Sequence, residues 1–378
     1  MKPILIAIPL SIIGFITLPA KIADTAEKPV ATFVRGPYLS SVTQNSIVIS
    51  WTTAAAVKGN VTYGQKASSE NSLPEDSPSF VHSVTVSGLA ANNPYKYKVI
   101  AGNDTTAEYR FWTAPAGNAT FTFAAYGDTR TNHTAHVSVL RQMSLHQPRI
   151  ILNSGDLVSR NTVANWDAYF ADICDSTHVG QTIPIYASPG NHESGQMYYD
   201  NLFLPSNNPQ KTEAYHSFDY GNVHIISVNT EIDYKKGSEQ YQWLEHDLQS
   251  PEAQSATFKI VFWHRPPYSS SNHGSDMSAR TTLCPLMESS GVDIVFNGHD
   301  HVYERTKPIN GTTYIVTGGG GAPLYDFKTE NEWTAYKEKA YHFCKLLVDN
   351  QVLSMFMIRD DGVVRDSLFI NKSVAKTR

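Results

Sequence analysis

Apolar and polar residues alternate along this chain with two different periods. Between residues 30 and 115 the apolar positions recur at every second residue, in short runs separated by turn residues. These runs are SIVISWTT (46–53), NVTYGQ (60–65), SVTVSGL (83–89), YKYKVIAG (95–102) and EYRFWTA (108–114). Short strands at such regular spacing predict a β-sandwich. Within LAANNPYKY (89–97) we expect a tyrosine corner, closed by Tyr95 or Tyr97.

The pattern changes after APAGNA (114–119), which we interpret as a linker. Continuous apolar runs now alternate with segments of helical period, such as residues 133–146 and 238–248. The apolar runs are TFTFAAY (120–126), RIILNS (149–154), IPIYAS (183–188), VHIISVN (223–229), FKIVFW (258–263), VDIVFN (292–297) and TYIVTG (313–318). This alternation predicts an α/β domain whose strands are covered on both faces. Residues 345–370 predict a closing meander of strands.

The N-terminus has the pattern of a secretory signal peptide. Lys2 is followed by an apolar run that ends at Leu18 and by Pro19-Ala20. We therefore interpret residues 1–26 as signal peptide and leader, cleaved after Ala20 or within the next few residues. An uncleaved anchor is the alternative, because the run is near the lower length limit for crossing a bilayer. Cleavage predicts a secreted or periplasmic protein without a membrane segment.

Composition and charge exclude some functions. Over 378 residues the formal net charge is −5 and the pI is about 6.3, so no electrostatic binding of nucleic acid is expected. The three cysteines, Cys174, Cys284 and Cys344, allow one disulfide in an oxidising compartment and leave one thiol over. None lies in a C-x-x-C motif, which argues against a thiolate metal site.

Five predicted strands of the α/β region are followed directly by a residue that can bind a metal. These residues are Asp128, Asp156, Asn191, His264 and His299, with His301 two positions further on. Singly, a Gly-Asp pair is usually a turn and a histidine at a strand end is usually a satisfied polar residue. As an ordered set they predict one site, because the carboxyl ends of the strands form the ligand crevice of α/β sheets. Carboxylate, amide and imidazole donors suit iron, zinc or manganese, and Asp156 is well placed to bridge two ions.

The order of the motifs resembles that of the calcineurin-like metallophosphoesterases. The matching motifs are GDTR (127–130), GDLVS (155–159), GNHE (190–193), VFWHRPPY (261–268) and GHDHVYER (298–305). With the sandwich in front, which resembles a fibronectin type III module, the chain looks most like the purple acid phosphatases and their bacterial relatives. The resemblance implies a fibronectin type III-like domain over residues 30–115, followed by a two-sheet α/β metallophosphoesterase domain over residues 119–372.

The resemblance also assigns roles to residues. One metal position would be held by Asp128, Asp156 and His301, and the other by Asp156, Asn191, His264 and His299. His192 matches the family's substrate-contacting histidine. His273 is the candidate for a second histidine that assists with the substrate or the leaving group.

Two positions depart from the family pattern. Ser159 stands where purple acid phosphatases have a tyrosine, so no purple colour is expected and iron(III) at the first position is in doubt. Arg130 stands where other members have a histidine, which leaves three obvious protein ligands for the first metal. Water, His133 or His136 would complete the set, although we expect both histidines on the exposed face of a helix. Arg130 itself is instead a candidate to grip a phosphate oxygen through two N–H groups.

The resemblance implies hydrolysis of small phosphate monoesters, with a metal-bound hydroxide as nucleophile. Hydrolysis of diesters such as cyclic nucleotides is the alternative, and a catalytically weak binding or adhesion protein is a lesser one. The segment TGGGGAPLY (317–325) lacks the Lys-Ser/Thr of a Walker motif, so we expect a close-packed turn at the pocket rim. Residues Tyr303, Glu304 and Arg305 are expected to brace the metal loop.

Overall fold

The computed structural model describes residues 33–373, and the predicted signal segment lies outside them. The N-terminal part is a β-sandwich of two antiparallel sheets. Its strands are β1 (Phe33–Ser40), β2 (Ser46–Val57), β3 (Gly59–Gly64), β4 (Asn71–Pro74), β5 (Ser79–Ser87), β6 (Pro94–Ala101), β7 (Asp104–Thr105) and β8 (Tyr109–Trp112). One sheet has the order β1-β2-β5. The other has the order β4-β3-β6-β7, with β8 also paired to β6.

Side chains alternate along the sandwich strands, as the period-two pattern predicted. On β6 the alternate residues Tyr95, Tyr97, Val99 and Ala101 are buried. The Tyr95 hydroxyl accepts a hydrogen bond from the Ala90 N–H at 2.8 Å, so Tyr95 closes the predicted tyrosine corner. The Tyr97 hydroxyl instead donates to the Gln181 carbonyl at 2.9 Å and attaches the sandwich to the α/β region.

The α/β region consists of two sheets. The first has the strand order β11-β10-β9-β19-β20-β21 and the second the order β12-β13-β14-β15-β17-β16-β18. The strands are β9 (Phe121–Tyr126), β10 (Ile151–Asn153), β11 (Ile185–Ala187), β12 (His216–Tyr220), β13 (Val223–Ser227), β14 (Phe258–Phe262), β15 (Ile294–Asn297), β16 (Tyr303–Thr306), β17 (Thr313–Thr317), β18 (Thr334–Glu338), β19 (His342–Asp349), β20 (Val352–Arg359) and β21 (Val364–Asn371). Strands β9, β10 and β11 are parallel, and so are β13, β14, β15 and β17.

Short helices connect the strands. They are α1 (His133–Leu145), α2 (Val163–Phe170), which continues into a π-helical turn (Ala171–Ser176), α3 (Val179–Thr182), α4 (Gln196–Asn201), α5 (Glu239–Leu248), α6 (Pro251–Ser255), α7 (Met277–Thr282) and α8 (Cys284–Ser289). The two helices predicted from sequence are α1 and α5. Each is capped by a side-chain oxygen, from Asn132 on the Ala135 N–H and from Ser238 on the Tyr241 N–H.

Apolar residues on both faces of the second sheet are buried, as expected for strands covered on both sides. Ile225, Ile260 and Ile294 point into a large core shared by the first sheet and the sandwich. Their neighbours in the strands, such as Val261 and Val295, pack in a second core with α5, α7 and α8. None of the helices within residues 33–373 is long and apolar enough to cross a lipid bilayer.

The structure pairs none of the three cysteines. Cys174, Cys284 and Cys344 are all buried free thiols, so the disulfide that the count allowed is not formed. Burial raises the pKa of each thiol above its usual value, so all three thiols remain protonated.

Candidate metal centre

The predicted ligands follow the carboxyl ends of parallel strands. Asp128 follows β9, Asp156 follows β10, and His299 follows β15. All three adopt positive φ angles, of 57°, 56° and 70°, which non-glycine residues rarely do. The strain is sustained by close packing: a Cβ at Gly298 would collide with Asp128 Oδ2, and one at Gly190 with Asp156 Oδ1. These glycines let the backbone approach the ligands and hold them in place.

The structure brings these side chains into two groups that share one carboxylate. Ligand atoms of Asp128, Asp156 and His301 all lie within 4.8 Å of one another, and so do those of Asp156, His264 and His299. The Asn191 Oδ1 lies 3.0 Å from His264 Nε2, which places the amide at the second group. Two adjacent groups with a shared aspartate are the arrangement of a dinuclear centre.

The histidines of the centre are oriented by backbone carbonyls. His264 Nδ1 donates to the Ser154 carbonyl at 3.0 Å, and His301 Nδ1 donates to the Pro323 carbonyl at 2.7 Å. Because a carbonyl can only accept, each Nε2 is left without a proton and faces the carboxylates, at 3.3 Å from Asp156 Oδ1 and 3.5 Å from Asp128 Oδ1. Such second partners fix the tautomer that binds a metal.

Burial sets the charges of the centre. It lowers the pKa of His264 and His299 and lowers that of His301 to about 4, so these rings are neutral ligands near pH 7. Burial and the nearby Asp156 raise the pKa of Asp128. Burial would also raise the pKa of Asp156, but its neighbours His264, His192 and Arg130 outweigh burial and lower that pKa. A buried donor set of two carboxylates, three imidazoles and one amide, without thiolate, fits iron, zinc or manganese.

Arg130 lies at the first ligand group. Its Nε donates to Asp156 Oδ2 at 3.0 Å, and its Nη2 lies 3.2 Å from His301 Nε2. The guanidinium therefore brings a positive charge to these carboxylates. The family resemblance had implied a histidine at this position.

His133 and His136 belong to neither ligand group. Their Nδ1 atoms lie 2.8 Å and 2.9 Å from Asp172 Oδ2. His136 is buried, so the expectation that both lie on an exposed helix face is wrong for His136. His133 is half-exposed. The reason is Asp172, which lies in the π-helical turn and which no sequence pattern linked to α1.

The two histidines expected at the substrate lie beside the ligand groups. His192 Nδ1 donates to the Ser159 carbonyl at 2.6 Å, and its Nε2 lies 3.7 Å from Asp156 Oδ2. The Ser159 backbone carbonyl thus positions His192. The His273 ring stacks on that of His299 with 4.2 Å between the ring centroids, and the His273 backbone N–H donates to Asp300 Oδ1 at 2.9 Å.

Sequence reasoning assigned no role to two residues that shape the centre. Glu193 accepts hydrogen bonds from the N–H groups of Asp156, Val158 and Gly190, at 3.0, 2.9 and 2.9 Å. Tyr325 stacks on His301, with 3.9 Å between the ring centroids. Glu193 was visible as the last residue of GNHE, whereas Tyr325 is brought in by a loop whose path the sequence does not show.

The glycine-rich loop and its neighbour β16 have structural roles. The Gly320 N–H donates to the Gly127 carbonyl at 2.9 Å and the Ala322 N–H to the Asp128 carbonyl at 2.8 Å, so the segment 317–325 is the close-packed turn expected. On β16, Glu304 accepts from the Ser270 N–H at 2.6 Å. Tyr303 and Arg305 bind Asp366 of β21, not the metal loop as expected.

Sequence comparisons identify two family regions in this chain. The family described as Calcineurin-like phosphoesterase matches residues 121–303, and Iron/zinc purple acid phosphatase-like protein C matches residues 311–367. Purple acid phosphatase 18 of Arabidopsis thaliana is 29% identical over 326 residues, covering 78% of this chain and 72% of the relative. Probable purple acid phosphatase 20 of the same plant is 26% identical over 386 residues, covering 91% and 89%.

A third similar protein, Probable inactive purple acid phosphatase 1 of Arabidopsis thaliana, is 26% identical over 361 residues; the match covers 78% of this chain but 58% of that protein. Among solved structures, purple acid phosphatase PPD1 from yellow lupin seeds shares the fold with a TM-score of 0.79 and 24% identity, over 89% of this chain and 74% of that one. The structure of PhoD matches with a TM-score of 0.72 and 14% identity, over 91% of both chains.

The resemblance seen in the sequence is thereby confirmed. The first family region contains every residue of the two ligand groups, the second region follows it in the α/β part of the chain, and the lupin structure shares the same fold. The chain thus carries a calcineurin-like phosphoesterase region followed by an iron/zinc purple acid phosphatase-like C-terminal region, the two parts of a metal-dependent phosphoesterase that resembles the purple acid phosphatases.

Proposed function

We propose that this protein hydrolyses small phosphate monoesters at a dinuclear metal centre. The observation that carries the proposal is the pair of ligand groups that share Asp156. Asp128, Asp156 and His301 would hold one ion, and Asp156, Asn191, His264 and His299 the other. When bound, two such ions supply positive charge for the phosphate oxygens and lower the pKa of a water molecule.

Arg130 is proposed to bind the phosphate group. Its guanidinium offers several N–H donors in a planar fork that matches two phosphate oxygens, which an imidazole does not. It already lies within 3.2 Å of both a carboxylate and a histidine of the first ligand group. A substrate phosphate at the centre would therefore meet this cation directly.

His192 and His273 are proposed to act on the substrate and its leaving group. The Ser159 carbonyl holds His192 Nδ1–H, which turns Nε2 toward Asp156 and the centre. A proton on that Nε2 can be donated to the leaving alkoxide. His273 is held by the hydrogen bond from its backbone N–H to Asp300 and by its stacking on His299, so it borders the second ligand group.

Hydrolysis assays with two substrates test this proposal. Metal-stripped protein would be refilled separately with iron, zinc and manganese and given p-nitrophenyl phosphate or bis-p-nitrophenyl phosphate. We expect metal-dependent cleavage of the monoester and its loss in His299→Ala. Preference for the diester would transfer the function to phosphodiester hydrolysis.

A binding protein with little catalysis is the second candidate. It is favoured by Arg130 at the first ligand group and by three relatives whose names include the words probable inactive. This candidate predicts metal binding without cleavage of either ester in the same assay.

Export of the mature protein is also proposed, on the signal-like pattern of residues 1–26. Mass spectrometry of protein recovered from outside the cytoplasm is expected to find a new N-terminus at or soon after Ala20. An intact N-terminus on membrane-bound protein would instead support the anchor.

A further inference from the structure

A cavity of about 680 Å³ lies where the sandwich meets the first sheet of the α/β region. Its walls come from β8, from the start of β9, from the end of α1 with the loop that follows it, and from the end of α3. The volume falls in the range of small-molecule sites. Strand β9 runs from this cavity at Phe121 toward Asp128, so the cavity lies about 20 Å from the metal centre.

The cavity is basic although the protein is acidic overall. Arg110, His146 and Arg149 line it, and no aspartate or glutamate does among the described residues. Lys345 lies close enough to His146 to help burial lower the pKa of that ring. The chain as a whole has a formal net charge of −5, so this concentration of positive charge is local. Such a pocket attracts anions.

Arg149 is held in place and yet incompletely bonded. Its guanidinium carbon lies 3.4 Å from the centroid of the Trp112 ring, and its N–H donates to the Thr122 carbonyl at 2.8 Å. Its Nη1 is buried and has no hydrogen-bond partner within residues 33–373. A buried charged donor without an acceptor is costly, and an oxyanion in the cavity would remove that cost.

We propose that this cavity is a second, non-catalytic site that binds a phosphate dianion, free or as part of a small phosphorylated compound. Arg149, stacked on Trp112, would supply the planar donor fork, and Arg110 a second cation from the sandwich. Because β8 and β9 both contribute walls, the bound anion joins the sandwich to the strand that leads to Asp128. The site does not depend on the proposed hydrolysis.

Calorimetric titration of the metal-loaded protein with inorganic phosphate tests the proposal. The number of phosphate sites is expected to fall by one in Arg149→Gln and to stay unchanged in Arg141→Gln, a matched change at an exposed arginine of α1. The test compares the number of phosphate sites in each variant with that in the wild type, so it holds whether or not phosphate also binds at the metal centre. An unchanged number of sites and an unchanged affinity in Arg149→Gln would overturn the proposal.

A second variant and a second ligand extend the test. If Arg149→Gln does not fold, Arg110→Gln, at an exposed position of β8, is expected to weaken phosphate binding at this site at least about tenfold. Tighter binding of phenylphosphonate than of phosphate would assign an organic phosphate as the ligand, and the reverse order would assign inorganic phosphate. Crystals of the metal-loaded protein soaked in selenate should show an anomalous peak beside Arg149, and its absence would contradict the assignment.

Discussion

Single residues at the centre are held in place by partners that do not themselves bind metal. Backbone carbonyls orient His264, His301 and His192, and the Glu193 carboxylate gathers three N–H groups of the ligand loops. Burial and the nearby Asp156 raise the pKa of Glu193, whereas the hydrogen bonds from these three N–H groups favour its charged form. The precision of the ligand groups therefore rests on these partners as much as on the ligands.

Replacement of Glu193 by glutamine should weaken metal binding. The amide offers one acceptor oxygen where the carboxylate offers two, and its NH₂ group would face backbone N–H donors. We expect a loss of metal affinity of about tenfold or more, measured by competition with a chelator. Glu332→Gln, at an exposed position, is the matched control. Equal affinities in the two variants would show that Glu193 does not support the ligand loops.

Replacement of His192 by asparagine should separate catalysis from metal binding. His192 is not in either three-residue ligand group, so the variant should keep its full metal content. Loss of the proton donor should lower kcat for p-nitrophenyl phosphate about 100-fold. A kcat within twofold of the wild-type value, with metal content unchanged, would remove His192 from the mechanism.

Whole elements could be predicted where the period of apolar residues was long and regular. The strands that precede Asp128, Asp156, His264 and His299 are mostly apolar, and the structure has a strand at each predicted run. Strand β16 was missed because its YERT sequence carries charged residues. Glu304 is hydrogen-bonded to Ser270, and Arg305 to Asp366 of β21. Strand β12 was missed because its His216, Ser217 and Asp219 break the apolar pattern.

The β12–β13 hairpin should make stability depend on pH. His224 on β13 lies between Asp219 and Asp247, at 2.8 Å and 2.9 Å. Burial alone would lower its pKa, but the two carboxylates raise the pKa to about 9. A raised pKa contributes stability that is complete below about pH 6.5 and is lost as the pH rises through about 9.

Denaturant unfolding at pH 6 and pH 9.5 measures this contribution. The free energy of unfolding of the wild type should fall by about 2 kcal/mol more than that of His224→Gln over this range. The comparison of the two proteins cancels groups that titrate in both. If the free energies of unfolding of the two proteins changed equally with pH, the charge of His224 would not stabilise the hairpin.

At the scale of the whole molecule, the sequence predicted which residues meet but not how the sheets are assembled. Strand order places β19, from the C-terminal meander, beside β9, and no pattern of apolar residues encodes that pairing. The contacts of Arg130 and the pairing of His133 and His136 with Asp172 likewise depend on side-chain paths that only the folded chain determines. The grouping of the proposed ligands was predictable because each follows a strand by at most a few residues, and these strands end at one edge of the sheets.

The central claim is that one aspartate serves two metal ions. Asp156 belongs to both ligand groups, whereas Asp128 belongs to one. Metal content per chain, measured by mass spectrometry of the elements after dialysis, tests this directly in Asp156→Ala and Asp128→Ala. We expect two ions per chain in the wild type, about one in Asp128→Ala and none in Asp156→Ala. One ion held at full occupancy by Asp156→Ala would contradict the shared centre.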